Sequence, residues 1–278
     1  VTHADLRLWA GSDPVIPEPR PDDPQEAAER LFLREAFRSP PRDFAAAPYT
    51  LAWFEQIERQ RYARHGYWIP KVLEFKRHAG ETLLGLGEGI GTDWLQYARN
   101  GTHVLACSPS QEQLGLIRQN FDLRGQAGRF LHAPPHALPL DAASVDVVCV
   151  HGLLHELDKP AAVIDEVYRV LRPGGKVIVV APAKYDARFW HDACFPWRLL
   201  RGRPADAAKA TTGRRLARAF ARFVEHRVSK RHLRRAHLPP MWRVYPLPLM
   251  ERLLGQLLIL KAFKPLSAAL AASVALAA

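Results

Sequence analysis

Four glycines at alternate positions are the residues of this chain best suited to contact with a ligand's polar groups. They lie in residues 83–93, after a short apolar run, and are Gly85, Gly87, Gly89 and Gly91. Glycine lacks the Cβ atom that blocks close approach, and it adopts backbone angles that other residues resist. A helix that begins at such a turn presents N–H groups to a polar ligand. The spacing excludes the dinucleotide fingerprint G-x-G-x-x-G, because Thr92 stands where its third glycine would be.

Alternating strand and helix patterns surround this turn and predict how it is positioned. Apolar runs predict strands at 83–86, 104–107, 129–132, 145–150, 176–181 and 257–262. Helical patterns cover 48–66, 69–78, 92–100, 110–123 and 247–254, and another helix starts at Asp158 and Pro160 with suitable capping residues. Arg172-Pro-Gly-Gly is predicted to turn the chain into the strand that follows. Repeated βα units of this length predict an α/β fold with a Rossmann-like, doubly wound, mostly parallel sheet.

Composition predicts a globular, cytoplasmic protein with one substantial core. The chain has 278 residues, of which 48% are hydrophobic and 24% charged. Its three cysteines are too few and too scattered for a disulfide framework or a zinc site. The first thirty residues are rich in Pro, Arg and acids and contain nothing like a signal peptide. The last thirteen are Ala-rich and too short to span a bilayer.

The net charge of +11 is concentrated in residues 198–243, which carry fourteen Lys or Arg against two acids. The simplest interpretation is a solvated, arginine-rich helical insertion. In a second interpretation, an amphipathic helix lies on an anionic membrane, with Leu216, Phe220, Phe223 and Val224 opposite Arg214, Arg218 and Arg222. Peripheral association with the inner face of the membrane would suit a lipid-like substrate. Nucleic-acid binding is disfavoured, because no recognition module accompanies the charge.

Five motifs in register, together with a helix that precedes them, resemble one family, the class I S-adenosylmethionine (SAM) methyltransferases, specifically the methyltransferase type 11 group. The glycine turn has the form G-x-G-x-G, and Trp53 with Arg61-Tyr62 resembles the helix that precedes the core in one branch. The others, in the family's order, are Leu138-Pro-Leu, Val145-Asp-Val-Val, Gly152-Leu-Leu-His and Arg169-Val-Leu-Arg-Pro-Gly-Gly. The resemblance covers roughly residues 48–183 and a closing strand near 256–265.

The resemblance implies a SAM site and a role for each matched position. The loop Gly87–Gly91 would pass under the methionine and ribose, position 108 would meet the ribose hydroxyls and position 134 the adenine. The implied cofactor contacts are Tyr62, Gly87, Glu88, Gly89, Gly91, Asp93, Ser108, Pro109, Pro135, His136 and His151. The chain departs from the family at three positions, where Gly85, Ser108 and Pro134 replace the usual acids. Glu88 and Asp93 are the nearby carboxylates that could compensate.

Two histidines are the candidate catalytic residues. The family places His151 to His155 opposite the transferred methyl, and histidine suits a base that deprotonates a hydroxyl or amine acceptor. In the alternative, His155 satisfies backbone groups at the following turn. His132 and His136 bracket two prolines, but without a third ligand we predict no metal site. Tyr62 could contact the carboxylate end of the cofactor or lie in the core.

These patterns divide the chain into five parts and leave two functions open. The parts are an arm (1–47), the methyltransferase-like core (48–183), a basic helical insertion or cap (184–243), a return helix and closing strand (244–265) and an Ala-rich tail (266–278). In the first function, the chain transfers a methyl group from SAM to a small or lipophilic acceptor. In the second, it has lost SAM binding and serves as a basic binding module for an anionic membrane or nucleic acid. The sequence predicts no oligomeric state.

Overall fold

The computed structural model describes residues 24–36, 46–63, 66–87, 89–157, 159–187, 189–190, 210–238 and 240–266. These residues contain a seven-stranded sheet in the order β3-β2-β1-β4-β5-β7-β6. The strands are β1 (Thr82–Gly87), β2 (His103–Ser108), β3 (Arg129–His132), β4 (Val145–His151), β5 (Leu171–Pro182), β6 (Val224–Arg231) and β7 (Leu257–Phe263). Strand β4 is parallel to β1 and to β5, and β2 is parallel to β3. Strand β7 runs antiparallel to both β5 and β6. The predicted Rossmann-like, mostly parallel sheet is confirmed.

The central strands form where the sequence is continuously apolar. Val147, Val148, Cys149 and Val150 of β4 are at most 1% exposed, as expected for a strand covered on both faces. All six predicted strands are present. Five agree with their predicted bounds to within one residue, whereas β5 begins at Leu171, five residues before the predicted start at 176. β6 was not predicted, because its residues are mostly polar and mark an edge strand. Hydrophobic runs therefore locate the buried strands and miss the exposed one.

The chain divides into two compact units, and the first consists of residues 1–80 and 88–132. It contains β2, β3 and the helices α1 (Pro24–Ala36), α2 (Leu51–Tyr62), α3 (Ile69–Val72), α4 (Thr92–Arg99) and α5 (Gln111–Asp122). An apolar cluster packs α1 against α2 and includes Ile90 of the glycine turn. Its members are Phe32 of α1, Trp53, Phe54 and Ile57 of α2, and Ile90. The predicted helix 48–66 is shorter at both ends, since Thr50 caps α2 by accepting a hydrogen bond from Trp53 N.

The second unit consists of residues 81–87 and 133–278. It contains β1, β4–β7 and the helices α6 (Pro160–Val170), α7 (Gly213–Ala219) and α8 (Leu247–Leu254). The predicted start of α6 is correct at Pro160, but Lys159 is the N-cap and its side chain makes no capping hydrogen bond. Asp158 lies outside the described residues.

Arg172-Pro-Gly-Gly does not end a helix in a separate turn but forms a bulge inside β5. Val145 of β4 pairs with Leu171 of β5, and Val147 of β4 pairs with Lys176 of β5. An advance of two residues along β4 therefore corresponds to five residues along β5, and the extra residues form the bulge. Gly174 adopts a φ of 78°, and its N–H donates to Lys264 O. The predicted change of backbone direction is present at Gly174, but it lies inside β5, which continues on both sides of it.

The basic segment differs from the amphipathic helix predicted for it. Helix α7 ends at Ala219, and Val224 begins β6. Leu216, Phe220 and Phe223 are at most 5% exposed. Their interpretation as a membrane-facing stripe is therefore wrong, because these side chains are already buried inside the protein. Residues 198–209 of the segment lie outside the described residues. No helix within the described ranges is long and apolar enough to cross a bilayer.

Candidate functional site

The glycine turn after β1 begins where two parallel strands come unusually close. Gly87, paired with His151 of β4, has a φ of 132°. A Cβ atom on Gly87 would lie 2.0 Å from the carbonyl oxygen of His151. No side chain fits at that distance, so this glycine is required by the protein's own backbone, whatever else it contacts. Glu88, a predicted cofactor contact, lies outside the described residues.

The second half of the turn, in the first unit, is held by a carboxylate from α1. Glu35 Oε1 accepts a hydrogen bond of 3.2 Å from Ile90 N. A Cβ atom on Gly89, whose φ is 122°, would come within 2.4 Å of the same oxygen. Gly91 then forms the N-cap of α4 in a left-handed conformation, with no side-chain cap. The turn is thus fixed by close packing, and Glu35 is a contact that the sequence analysis missed.

Asp93, in the first turn of α4, is the centre of a buried charged network. Arg61 Nε donates to Asp93 Oδ1 at 2.7 Å and Arg61 Nη2 donates to Oδ2 at 2.6 Å, a bidentate pair. Arg61 Nη1 donates to the backbone oxygen of Glu35 at 2.7 Å and lies 3.9 Å from its carboxylate. The Tyr62 hydroxyl donates to Asp93 Oδ1 at 2.7 Å. We call Glu35, Arg61, Tyr62 and Asp93 the Asp93 network.

The electrostatics of this network keep its members in fixed protonation states. Burial opposes the charge of Arg61, but the carboxylates of Asp93 and Glu35 outweigh it and raise the pKa of the guanidinium. Burial, and next the Asp93 carboxylate, raises the pKa of Tyr62 well above its usual value. Asp93 and Tyr62 were predicted as cofactor contacts. The structure engages both with each other within the first unit, and their contact with a cofactor stays a prediction.

Two buried polar atoms beside the turn have no hydrogen-bond partner among the described residues. One is Thr92 Oγ1, in the first turn of α4. The other is Asn120 Oδ1 of α5, whose Nδ2 donates to Ile90 O at 2.9 Å. Buried polar atoms are usually paired, so these two mark places where a water or a ligand group would be accommodated.

The end of β2 carries neutral groups where the resembled family has a carboxylate. Ser108 Oγ donates to Gln113 Oε1 at 2.5 Å and accepts from Ser110 N at 3.0 Å. Gln113 Nε2 in turn donates to Gly89 O at 2.9 Å, which ties the end of β2 to the glycine turn. Pro109 contributes its carbonyl oxygen, 3.0 Å from His132 Nε2. The first unit therefore brings Ser108 and Gly89 together through Gln113, a residue that the sequence analysis did not select.

The candidate catalytic residues lie in the second unit. His151 ends β4, and its Nε2 is 3.3 Å from Cys149 Sγ. His155 follows four residues later, with a side chain only 3% exposed and Nε2 3.3 Å from Glu156 Oε1. Of the two predicted contacts after β3, Pro135 is buried and His136 is exposed. Within the part of the chain that the structure describes, no group of three metal-ligating side chains occurs.

Comparison with known proteins assigns the segment that contains these features. Residues 83–179 match the family model described as a methyltransferase domain. This segment is a methyltransferase domain of the type 11 group, on the Rossmann-like fold of class I methyltransferases. The predicted family of the segment is confirmed.

Individual relatives cover less of the chain. A demethylmenaquinone methyltransferase of Clavibacter sepedonicus is 35% identical over 101 residues, which are 36% of this chain and 41% of the relative. An uncharacterised methyltransferase of Mycobacterium tuberculosis is 35% identical over 116 residues, which are 40% of this chain and 44% of the relative. The chain thus spans less than half the length of these curated relatives. The crystal structure of a SAM-dependent methyltransferase from Aquifex aeolicus shares the fold, with a TM-score of 0.54 and 14% identity over 76% of this chain and 96% of that one.

Proposed function

We propose that this chain transfers a methyl group from SAM to a lipophilic small-molecule acceptor. One observation carries the proposal: the backbone of the glycine turn opens α4 within a methyltransferase domain. It is fixed at Gly87 by a backbone contact that no side chain permits, and Gly89 has a φ of 122° that favours glycine. Side chains from α1 and α5 hold the main chain of this turn in a fixed arrangement. Such preorganisation is what methyl transfer chiefly requires, because the reaction depends on alignment.

The described residues of the first unit fit the cofactor. Thr92 Oγ1 and Asn120 Oδ1 are buried polar atoms beside the turn that lack a protein partner among the described residues. Gly89 and Gly91 would contact the methionine and ribose portions, and Ser108 with Pro109 the ribose. In the second unit Gly87, Pro135, His136 and His151 are the proposed contacts. When bound, SAM supplies a methyl group on a sulfonium, which is already an activated leaving group.

Ribose recognition in this chain would rest on neutral groups. The Ser108 hydroxyl and the Gln113 amide form a chain of hydrogen bonds that ends on Gly89 O. Hydrogen bonds to a charged group contribute about 1.5–3 kcal/mol, against about 0.5–1.5 kcal/mol for neutral partners. We therefore propose that SAM binds this chain more weakly than it binds relatives with a carboxylate at this position. Glu35 and Asp93 do not substitute for it, since the Asp93 network engages both.

His155 is the better of the two candidate bases. The Glu156 carboxylate lies 3.3 Å from its Nε2 and would stabilise the imidazolium that forms when His155 takes a proton from the acceptor. His151 Nε2 lies instead near the Cys149 thiol, which offers no such charge. We assign His155 as the base that holds the acceptor's proton and His151 as a contact at the end of β4.

The acceptor class is proposed from the relatives. The Clavibacter protein and others of the same name act on demethylmenaquinone, a lipophilic molecule. An arsenite methyltransferase of Halobacterium salinarum also matches, so the shared domain does not by itself fix the acceptor. A lipophilic hydroxyl-bearing acceptor such as a quinol agrees best with a histidine base. Loss of the hydroxyl proton makes the quinol nucleophilic at its oxygen or at the adjacent ring carbon, and transfer of the methyl group releases one proton in either case.

Transfer of a labelled methyl group tests the proposal directly. The purified chain is incubated with SAM labelled in its methyl group and with demethylmenaquinol in detergent, and label in the organic extract is counted. We expect label in the extract from the wild type, and a loss of roughly a hundredfold or more in His155→Ala, the scale of general-base catalysis. His103→Ala, at an exposed histidine that begins β2, is the matched control and should keep full activity. Absence of label from the extract with this acceptor would contradict the proposed acceptor.

A second function is favoured by one observation, the neutral residue at position 108. If the missing carboxylate has abolished SAM binding, the domain would serve as a basic binding module through residues 198–243. The module would bind an anionic membrane or nucleic acid. The two functions differ in one measurable respect, since only the enzyme binds SAM in a saturable manner.

A further inference from the structure

Residues 240–253 expose an unusual number of apolar side chains for a short stretch of surface. Met241 is 66% exposed, Val244 81%, Tyr245 52%, Leu249 51% and Leu253 58%. Single exposed apolar residues are normal on a protein surface, but clusters of them mark interaction sites. We call this stretch the 240–253 surface.

The backbone of this surface is well anchored, so its exposure is built into the fold. In α8, Met250 and Leu254 point inward and pack with Ala187, Leu233 and Leu238. Leu249 and Leu253, one turn apart, lie together on a different side of the helix. The preceding turn is fixed because Arg235 Nη1 donates to Arg243 O at 2.7 Å and Arg243 Nε donates to Leu238 O at 3.0 Å.

The outward charges of this surface are positive. Arg243 and Arg252 are exposed, and Arg252 lies within one turn of both Leu249 and Leu253. Glu251, the one acid in the stretch, is directed toward the protein: its Oε1 accepts from His232 N at 3.0 Å, and its Oε2 lies 4.0 Å from Arg231. The exposed charged side chains among these apolar residues are thus arginines alone. This arrangement complements a bilayer surface, where anionic headgroups cover an apolar acyl layer.

Tyr185 lies close to the end of this surface. Lys230 Nζ donates both to Leu253 O at 2.8 Å and to Tyr185 O at 2.6 Å. The Tyr185 ring, 43% exposed, packs edge-on against Phe189 with ring centroids 4.9 Å apart. Tyrosine is enriched where a protein meets the headgroup region of a bilayer, because its ring is apolar and its hydroxyl remains wet.

We propose that the 240–253 surface docks this protein on the headgroup layer of an anionic phospholipid bilayer. Leu249, Leu253 and Val244 enter the interface, and Arg243 and Arg252 contact the lipid phosphates. This site is distinct from the helical stripe suggested by the sequence, whose apolar residues are buried. An anionic bilayer fits better than a protein partner, because the arginines flank the apolar groups as in interfacial helices. The docking does not rest on the proposed methyl transfer.

Vesicle sedimentation with matched variants tests the docking. The full chain is mixed with vesicles of phosphatidylcholine alone or of phosphatidylcholine with phosphatidylglycerol. We expect binding only to the mixed vesicles, and a loss of roughly tenfold or more in Leu249→Ser/Leu253→Ser, since burying one leucine is worth about 1.5–3 kcal/mol. Leu123→Ser, at an exposed leucine of the first unit, should bind as the wild type does.

A charge variant and a spectroscopic variant complete the test. Each basic residue near an anionic surface is worth about 1 kcal/mol, so Arg252→Glu should weaken binding roughly tenfold or more, whereas Arg129→Glu should not. In Leu249→Trp, brominated lipid in the mixed vesicles should quench the added fluorescence, and in Leu123→Trp it should not.

Unquenched Leu249→Trp, or wild-type binding by the double serine variant, would overturn the proposal. So would a concentration-dependent dimer that the serine variant abolishes, or binding to RNA in place of vesicles. SAM titration of the same samples reports separately on the proposed function.

Discussion

The Asp93 network and the end of β2 both border the glycine turn in the first unit, yet they use charge in opposite ways. Around Asp93, one arginine, two carboxylates and a tyrosine hydroxyl are buried together with short, bidentate contacts. At the end of β2, Ser108 and Gln113 make the equivalent connection to the turn with neutral groups alone. The same turn is therefore held by ion pairs on one side and by an amide and a hydroxyl on the other.

The glycine turn is therefore held in place although Gly85, Ser108 and Pro134 stand where the resembled family has acids. Buried ion pairs are demanding, because a charge left without its partner is strongly unfavourable. In this chain the carboxylates near the turn, Glu35 and Asp93, are committed to Arg61 and to the backbone of the turn. They position the turn, and Ser108 stands where the resembled family has an acid. The Asp93 network thus supports the turn, whereas the end of β2 is the proposed ligand contact, and each region can be perturbed separately.

Removing the arginine from the Asp93 network should have the largest effect. Arg61→Met leaves Asp93 and Glu35 buried without their cation, which is expected to lower the free energy of unfolding by about 3–5 kcal/mol. Arg59→Met, on the same helix and exposed, is the matched control and should change it by less than about 0.5 kcal/mol. Denaturant unfolding measures both, and equal effects of the two variants would show that the network does not support the turn.

Tyr62→Phe probes the same network through one hydrogen bond and through pH. Loss of the bond to Asp93 should lower stability by about 1.5–3 kcal/mol at neutral pH. Burial raises the pKa of Tyr62 well above 10.0, so the folded protein keeps the proton that the unfolded chain releases. Wild-type stability from this group is therefore complete below pH 10.0 and falls as the pH rises beyond it. The difference between wild type and Tyr62→Phe should shrink above pH 10.0, and a constant difference would contradict the raised pKa.

Gly89→Ala tests whether the turn is fixed by close packing. The new methyl group would meet the Glu35 carboxylate at 2.4 Å, at a φ of 122° that alanine resists, so we expect a loss of about 1–3 kcal/mol in stability. Gly115→Ala offers a close control, because that glycine lies in α5 with no atom within 4 Å of the added Cβ. The control should be neutral or stabilising by about 0.5–1 kcal/mol. Similar melting temperatures for both variants would contradict the conclusion that close packing at Gly89 fixes the turn.

Ser108→Asp acts on the neutral side of the comparison and should have the smallest effect. A carboxylate here would turn the Gln113 amide and present a charged acceptor to the ribose, which we expect to tighten SAM binding roughly fivefold to tenfold. Ser110→Asp, two residues away, keeps the N-cap of α5 and should leave the affinity unchanged. If Ser108→Asp binds SAM no better than the wild type, position 108 is not a ribose contact.

Much of the fold could be predicted from the sequence because its signals are local. The apolar runs that form β1, β4 and the second half of β5 are visible in short windows. Edge strand β6 was missed, since an edge lacks the continuous apolar signal. The stripe of Leu216, Phe220 and Phe223 was assigned to a membrane because periodicity shows that a face is apolar without showing what covers it.

The candidate site was predictable only in part. Gly87, Gly89 and Gly91 follow from their spacing, and Arg61-Tyr62 was noticed as a motif. Glu35 was not found, because it contacts Ile90 from 55 residues away and its helix carries no motif. The engagement of Asp93 by Arg61 across 32 residues likewise exists only in the folded chain. Contacts between distant segments decide which carboxylates remain available, and no local pattern reports them. The five-part division of the chain stays a prediction.

Isothermal titration of the wild-type chain with SAM tests the central claim most directly. We predict saturable binding in the micromolar range, competed by S-adenosylhomocysteine, because the glycine turn and its buried polar neighbours are held in place whether or not position 108 carries an acid. No heat of binding at millimolar SAM would contradict the account and would leave a methyltransferase fold that serves as a binding module.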